Sequence, residues 1–174
     1  ITEAFPNLTE LLKQADAACY MAKDLGRNRI HVYHGEELNP TRRHGEMQWV
    51  TRIYQALEQQ RLCLYAQTIE PLDSRSDKHY ELLLWMKDED GLLIPPDAFL
   101  PAAERYNLIG QLDAWVIEKA FALLAANPVF LEQIQFISIN LSGQSLTKHG
   151  FLDLITAELS KSGIDGKKIC FEIT

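Results

Sequence analysis

Residues 134–142 read Ile-Gln-Phe-Ile-Ser-Ile-Asn-Leu-Ser, and residues 169–174 read Ile-Cys-Phe-Glu-Ile-Thr. Both stretches are short and rich in β-branched and aromatic residues, as buried β-strands are. Residues 145–162 lie between them and have the apolar spacing of an amphipathic helix. A strand, a helix and a second strand in this order typically place two parallel strands in one sheet. These residues therefore predict a parallel βαβ unit.

The sequence before this unit extends the same pattern. We predict strands at residues 62–69, 80–86, 134–141 and 169–173, and helices at residues 47–60, 96–106, 111–126 and 145–162. An opening strand pair followed by alternating helices and strands indicates parallel βα units, whose sheet needs helices on its faces. The short acidic run at residues 87–91 is predicted to be a solvated hairpin turn or loop. The predicted fold class is α/β, as a barrel or a wound sheet.

The first part of the chain has a separate character. Residues 7–25 have the spacing of an amphipathic helix, and residues 29–33 alternate like a strand. One helix and one strand cannot bury enough surface to fold alone, so we expect them to close a domain whose body lies upstream. We divide the chain into residues 1–35, a linker at 36–46 and a second domain at 47–174, and expect both chain ends to be cuts in a longer protein.

Composition excludes several classes of partner. The net charge is −7 and the sequence pI about 5.2, which disfavours binding to nucleic acid or to an anionic membrane. The three cysteines, Cys19, Cys63 and Cys170, lack zinc-site or disulfide spacing and indicate a reducing cytoplasm. No apolar run is long enough to span a membrane. We expect a cytoplasmic location without membrane contact by this segment, although upstream regions could anchor a longer protein.

Three predicted strands each carry one oxygen-bearing side chain on a face that is otherwise mainly apolar or small. These side chains belong to Glu81, Asn140 and Glu172. A buried carboxylate is costly unless it is paired or bound to metal, and two carboxylates with an amide oxygen suit Mg²⁺ or Mn²⁺. In barrel enzymes the reacting groups lie at the C-terminal strand ends, as Asn140 and Glu172 would. The alternative is that each is a polar strand end that meets solvent or a backbone amide.

Residues 15–30 read Ala-Asp-Ala-Ala-Cys-Tyr-Met-Ala-Lys-Asp-Leu-Gly-Arg-Asn-Arg-Ile. This stretch resembles the closing helix of GGDEF domains, whose pattern is roughly AD-x-ALY-x-AK-x-x-GRN. The resemblance covers only the end of such a domain, and the GGDEF motif itself is absent from the chain. It places Lys23 and Arg27 where active cyclases contact GTP phosphates. The alternative, which we favour for this chain, is that both are exposed basic residues near a helix end.

A second resemblance covers the chain from Tyr65 to its end. The matching segments are Tyr-Ala-Gln-Thr-Ile at 65–69, Tyr-Glu-Leu-Leu-Leu at 80–84, the run at 92–105 with Pro-x-x-Phe-Leu-Pro-x-Ala-Glu, Asn-Leu-Ser at 140–142 and Phe-Glu-Ile-Thr at 171–174. They resemble, in order, the YQPI, EAL, proline-phenylalanine, NLS and E-I-T-E motifs of EAL domains. The chain is thus similar to the N-terminal half of an EAL domain.

This resemblance implies a fold and an activity. The fold would be a partial (β/α)8 TIM-like barrel with a modified first strand pair, preceded by the last helix and strand of a GGDEF α/β domain. The activity would be hydrolysis of cyclic-di-GMP to pGpG with Mg²⁺ or Mn²⁺, in bacterial second-messenger signalling. Glu81, Asn140 and Glu172 match metal-ligand positions, and Gln67 matches a position that contacts cyclic-di-GMP.

One position departs from the family in an informative way. EAL domains commonly carry an arginine four residues after the signature glutamate, where it grips a phosphate, and this chain has Trp85 there. Loss of a charge-assisted hydrogen bond would cost about 1.5–3 kcal/mol, or about one to two decades in affinity. Trp85 is a candidate substrate-contacting residue because tryptophan can stack on guanine. The alternative, a packed aromatic side chain, is the one we favour.

By the same resemblance, the paired aspartates, the catalytic lysine and the later glutamates of the family would lie beyond Thr174. We therefore assign no catalytic residue in this chain and expect it to be an inactive fragment of a phosphodiesterase. The competing hypothesis is a degenerate EAL module that binds cyclic-di-GMP, or a protein partner, without catalysis. Half a barrel also leaves open strand edges and apolar faces, which favour a homodimer.

Overall fold

The computed structural model describes residues 30–33, 40–72 and 78–174, together with eight positions between residues 8 and 22. The chain divides into two compact units, Ile1–Gln48 and Trp49–Thr174. In the first unit the eight positions are all helical, in agreement with the helix predicted at residues 7–25. Lys23 and Arg27 lie outside the described residues.

The strand predicted at residues 29–33 is wrong for its described part. Residues 30–33 have neither helical nor strand structure. Alternation of side chains indicates which way each residue would point in a strand, but a strand exists only where its backbone pairs with a neighbour. The sequence pattern cannot supply that neighbour.

The helices and strands have the following bounds. The helices are α1 (Pro40–Glu58), α2 (Pro96–Arg105), α3 (Ile109–Ala125), α4 (Pro128–Gln133), α5 (Gly143–Leu146) and α6 (Phe151–Ser162), with a 3₁₀ helix at Gly166–Lys168. The strands are β1 (Leu62–Ile69), β2 (Lys78–Lys87), β3 (Leu93–Ile94), β4 (Ile134–Leu141) and β5 (Ile169–Ile173). The bounds predicted for β1, β4 and β5 are confirmed at both ends.

Two helix predictions differ from the structure. Helix α1 begins at Pro40 and so includes residues 40–46, which were predicted as linker. Proline is tolerated in the first helical turn, and one internal glycine, here Gly45, costs only about 1 kcal/mol. The helix predicted at residues 145–162 is divided into α5 and α6, because Gly150 has a φ of 82°, which a right-handed helix cannot contain.

The described strands form one five-stranded sheet with the order β1-β2-β4-β5, in which β3 also pairs with β2. Strand β1 is antiparallel to β2, whereas β2, β4 and β5 are mutually parallel. The predicted opening pair and parallel βα units are therefore confirmed. Strands β2 and β3 form a hairpin, in which the Asp88 carboxylate accepts hydrogen bonds from the Asp90 and Leu92 amides at 3.0 and 2.8 Å, as expected for the predicted turn.

One face of the sheet packs against helices α3 and α6. Ile137, Ile139 and Leu141 of β4 are at most 1% exposed and lie in one cluster with Phe121 of α3 and Ile155 of α6. A second cluster joins α1, the start of β1, the end of β2, α2 and the start of α3, through residues such as Ile53, Met86, Phe99 and Leu112. Both clusters meet along α3. Across the described residues, no helix has the length and apolar character needed to cross a bilayer.

We expect Phe121→Ala to lower the free energy of unfolding by about 3–5 kcal/mol, because it leaves a cavity in the cluster on α3. The matched control is Leu123→Ala on the same helix, where the side chain is 44% exposed and the cost should be about 1 kcal/mol or less. Urea unfolding of both variants measures the difference. Equal losses would contradict the assignment of the buried face of α3.

Candidate functional site

The strand register brings the predicted site residues to one face of the sheet. Gln67 pairs with Glu81 between β1 and β2, Glu81 pairs with Ser138 between β2 and β4, and Asn140 pairs with Glu172 between β4 and β5. Paired residues point to the same side, and side chains two apart on a strand share a face. Gln67, Glu81, Asn140 and Glu172 therefore lie opposite the face that packs on α3 and α6. We call this the site face.

Glu81 and Asn140 are in direct contact. The Asn140 side-chain amide donates a hydrogen bond from Nδ2 to Glu81 Oε1 at 2.7 Å, and both side chains are half-buried. A carboxylate that leaves water needs such a donor to offset its desolvation. Because the Asn140 amide nitrogen faces Glu81, the side-chain carbonyl oxygen of Asn140 can accept a hydrogen bond or bind a cation.

Glu172 completes the oxygen donors on this face. Its side chain is exposed near the end of β5, and no hydrogen bond or ion pair involves it among the residues that the structure describes. Within the same residues, no group of three or more histidine, cysteine, aspartate or glutamate side chains could hold a metal ion. The donor set is thus two carboxylates and one amide, which suits Mg²⁺ or Mn²⁺ chemically and fills only part of an octahedral shell.

The other two candidates extend the site face along β1 and β2. Gln67 is exposed directly opposite Glu81, where Cβ atoms of paired residues are about 4.5–5.5 Å apart. Trp85 lies four residues beyond Glu81 and is half-buried. Its ring centroid is 5.9 Å from that of Tyr65, with an interplanar angle of 67°, the edge-to-face arrangement that aromatic rings favour. Trp85 is therefore packed on one side and accessible on another.

A cavity of about 300 Å³ opens where β2 and β4 separate. The pairing between these strands ends at Leu82 and Ile139, so the next residues of each strand leave a gap toward α2 and α3. The polar residues that line it are Glu104, Asp113, Asn140, Ser142 and Thr174. The cavity is otherwise apolar, and Asn140 is part of its lining.

Asp113 is a functional candidate that the sequence reasoning missed. It lies on the buried face of α3 and is only 6% exposed. Its Oδ2 atom accepts a hydrogen bond from the Ser142 backbone amide at 2.9 Å and another from Ser145 Oγ at 2.6 Å. The available signal was an acidic residue inside an apolar helical stripe, between Leu112 and Val116.

Burial raises the pKa of the Asp113 carboxyl above its ordinary value, and this is the largest influence on it. The hydrogen bonds from Ser145 and Ser142 and the positive charge of Lys148 act in the opposite direction. The Lys148 side chain packs over Gly110 of the same helix. The protonated form of Asp113 is thus favoured by folding, despite donors that stabilise the charged form.

The raised pKa predicts a pH dependence of stability. Because the folded-state pKa exceeds the ordinary value of 3.8, the stabilising contribution of Asp113 is complete below that value and is lost as the pH rises through the folded-state pKa. Asp113→Asn cannot ionise, so its stability relative to the unsubstituted protein should increase from about pH 4 to about pH 7. Urea unfolding of both proteins across this range measures it. A constant or decreasing difference would contradict the prediction.

Comparison with protein families and curated proteins identifies similar sequences. Residues 50–174 match the family described as EAL domain. The cyclic di-GMP phosphodiesterase PdeB of Shewanella oneidensis is 40% identical over 169 residues, which are 97% of this chain and 20% of PdeB. The bifunctional diguanylate cyclase/cyclic di-GMP phosphodiesterase MucR of Pseudomonas aeruginosa is 30% identical over 166 residues, 95% of this chain and 24% of MucR. The chain thus spans about a fifth of the length of these relatives.

Solved structures resemble the fold. The FimX EAL domain from Pseudomonas aeruginosa bound to c-di-GMP has a TM-score of 0.64 and 30% sequence identity, over 72% of this chain and 49% of that domain's chain. The PaMucR phosphodiesterase in complex with c-di-GMP has a TM-score of 0.62 and 26% identity, over 71% of this chain and 50% of the other. The observed α/β architecture is therefore that of EAL domain structures.

Proposed function

Because this chain belongs to the EAL domain family, we propose that it is part of a phosphodiesterase that hydrolyses cyclic-di-GMP to pGpG. The names of PdeB and MucR support the activity. The observation that carries the proposal is the placement of Glu81, Asn140 and Glu172 on one sheet face, with Glu81 and Asn140 joined at 2.7 Å. The activity is proposed for the whole protein, of which these residues are a part.

The three oxygen donors are proposed to hold Mg²⁺ or Mn²⁺. Glu81 and Glu172 would supply negative charge and Asn140 its carbonyl oxygen, which are the ligand types these cations prefer. A bound cation would lower the pKa of an attacking water and neutralise charge on the phosphate. The Asn140 amide would meanwhile keep Glu81 oriented through their hydrogen bond.

Substrate contact is proposed for Gln67 and Trp85. Both lie on the site face with Glu81, and the Gln67 side chain is exposed. Trp85 presents an accessible part of its ring, while its contact with Tyr65 fixes its orientation. Aromatic rings stack on nucleobases without regard to charge, so Trp85 would contact a guanine base where the family arginine contacts a phosphate.

We further propose that the sheet is part of a (β/α)8 barrel with the site face inside it, and that residues 1–35 close a GGDEF domain. The support is the likeness to EAL domain structures, the motif at residues 15–30, and the match of MucR, named as a diguanylate cyclase, across 95% of the chain. A cytoplasmic location follows from the nucleotide substrate. The homodimer stays a prediction, with β1 and β5 as the edges of the described sheet.

The second candidate function is a module that binds cyclic-di-GMP without hydrolysing it. The observation that favours it is Trp85 in place of a phosphate-binding arginine. The oxygen donors on β2, β4 and β5 favour the enzyme, because nucleotide binding alone has no need of a metal site.

The first test is turnover. The complete protein should hydrolyse cyclic-di-GMP with Mg²⁺ or Mn²⁺, whereas the 174-residue chain alone should show none, because its donors fill only part of a metal shell. In the complete protein, Glu81→Gln and Glu172→Gln should each lower kcat by at least the roughly 10–100-fold that loss of an outer-shell partner costs.

The matched control for these variants is Glu118→Gln, which removes an exposed carboxylate from α3 and should leave kcat unchanged. Turnover by the isolated chain would contradict its assignment as an inactive part. A complete protein that binds cyclic-di-GMP without turnover would establish the binding module in place of the enzyme.

The second test concerns Trp85. Trp85→Arg restores the family's phosphate contact and removes the proposed stacking contact. A charge-assisted hydrogen bond contributes about 1.5–3 kcal/mol, so the exchange should tighten cyclic-di-GMP binding by at most about 10–100-fold, less whatever the lost stacking contributes. Calorimetric titration of the complete protein measures it. The control is Leu152→Arg, which adds the same charge at a side chain 67% exposed on α6. Weaker binding by Trp85→Arg than by the control would contradict this prediction and indicate that stacking of the indole contributes more to affinity than the arginine–phosphate contact.

A further inference from the structure

Residues 141–145 directly follow Asn140 and comprise the last residue of β4, Ser142 and the first three residues of α5. We call this segment the β4–α5 turn. Its backbone is fixed on one side by the residue that follows β5. The Thr174 amide donates to the Leu141 carbonyl at 3.0 Å, and the Gly143 amide donates to the Thr174 carbonyl at 3.1 Å. These bonds join the turn to the end of the strand that carries Glu172.

On its other side the turn is fixed by Asp113. One carboxylate oxygen receives both the Ser142 amide at 2.9 Å and the Ser145 hydroxyl at 2.6 Å. All three residues are at least 94% buried, since Asp113 and Ser142 are each 6% exposed and Ser145 is 0% exposed. The Ser142 hydroxyl in turn accepts the Gln144 amide at 3.2 Å and caps α5. Asp113 therefore bonds to the turn at its second and its fifth residue.

Asp113 is itself held rigidly. Leu112 and Ile117 on the same helix are completely buried, and Val116 is 5% exposed. A packed core side chain has few alternative rotamers, so the carboxylate has a fixed position relative to the sheet. Burial of a carboxylate here costs more than burial of an apolar side chain, which indicates that its hydrogen bonds serve a purpose beyond filling the core.

We propose that Asp113 is a positioning residue that fixes the β4–α5 turn and thereby orients the Asn140 carbonyl oxygen for a divalent cation. This inference rests on the proposed function, because it takes Asn140 to be a metal ligand. Asp113 acts through the Ser142 amide, two residues from Asn140 in the chain. Outer-shell hydrogen bonds of this kind commonly tune metal affinity.

The test compares Asp113→Leu, which removes the oxygen that accepts both hydrogen bonds and keeps an apolar fit, with Asp113→Asn, whose amide oxygen can still accept both bonds. The control is Asp153→Leu at an exposed position in the first turn of α6. In the complete protein, Mn²⁺ binding is followed by electron paramagnetic resonance, and hydrogen exchange of the Ser142, Gly143 and Gln144 amides is followed without metal.

Asp113→Leu should weaken Mn²⁺ binding by at least about tenfold and speed exchange at the three amides by at least about tenfold. Asp113→Asn should stay within about threefold of the unsubstituted protein in both measurements, because its amide oxygen preserves both hydrogen bonds. Asp153→Leu should change neither. If Asp113→Leu does not fold, Ser145→Ala removes one of the two bonds and should speed exchange without unfolding the core.

Unchanged amide exchange in the folded Asp113→Leu or Ser145→Ala variant would overturn the proposal. So would faster exchange with unchanged Mn²⁺ affinity, provided that Asn140→Ala weakens Mn²⁺ binding in the same assay. Failure of the proposed function gives a different result. In that case Asn140→Ala itself leaves Mn²⁺ affinity unchanged. Asn140 is then not a metal ligand, whether or not Asp113 fixes the β4–α5 turn.

Discussion

The side-chain alternation of β4 is the constraint on which the rest of the structure depends. Ile137, Ile139 and Leu141 are buried against the helices, so Ser138 and Asn140 must point to the opposite face. A shift of register by one residue would exchange the two faces and expose three core side chains. The hydrophobic core therefore determines which face can carry polar chemistry, and β2 and β5 follow through their pairing with β4.

Two carboxylates on opposite sides of β4 are stabilised by the same short segment. Glu81 on the site face accepts a hydrogen bond from the Asn140 side-chain amide. Asp113 on the helical side accepts hydrogen bonds from the Ser142 backbone amide and the Ser145 hydroxyl. Each carboxylate would be costly to bury without its donor. Residues 140–145 thus supply hydrogen-bond donors both to the buried Asp113 and to Glu81 on the site face. A change in this segment would leave one of these two carboxylates without its donor.

Much of the site and the sheet could be predicted from the sequence, and the failures have physical causes. The bounds of β1, β4 and β5 are predicted at both ends because each strand is a short run rich in apolar, β-branched and aromatic residues. The strand at residues 29–33 was wrong because alternation does not reveal a pairing partner. The division between α5 and α6 depends on the backbone angle of Gly150. Asp113 was missed because its partners lie about thirty residues away in the chain, beyond what helical spacing can indicate.

Helix α3 connects α1 with the β4–α5 turn. Its first turn lies in the cluster that contains Ile53 and Ala56 of α1, through Leu112, and the next residue, Asp113, holds the β4–α5 turn. Packed interiors have low compressibility and transmit strain. A mechanical load on α1 would therefore reach Ser142, which lies two residues from the proposed metal ligand Asn140, through two adjacent residues of α3. Helix α3 thus gives α1 a short mechanical connection to the proposed site.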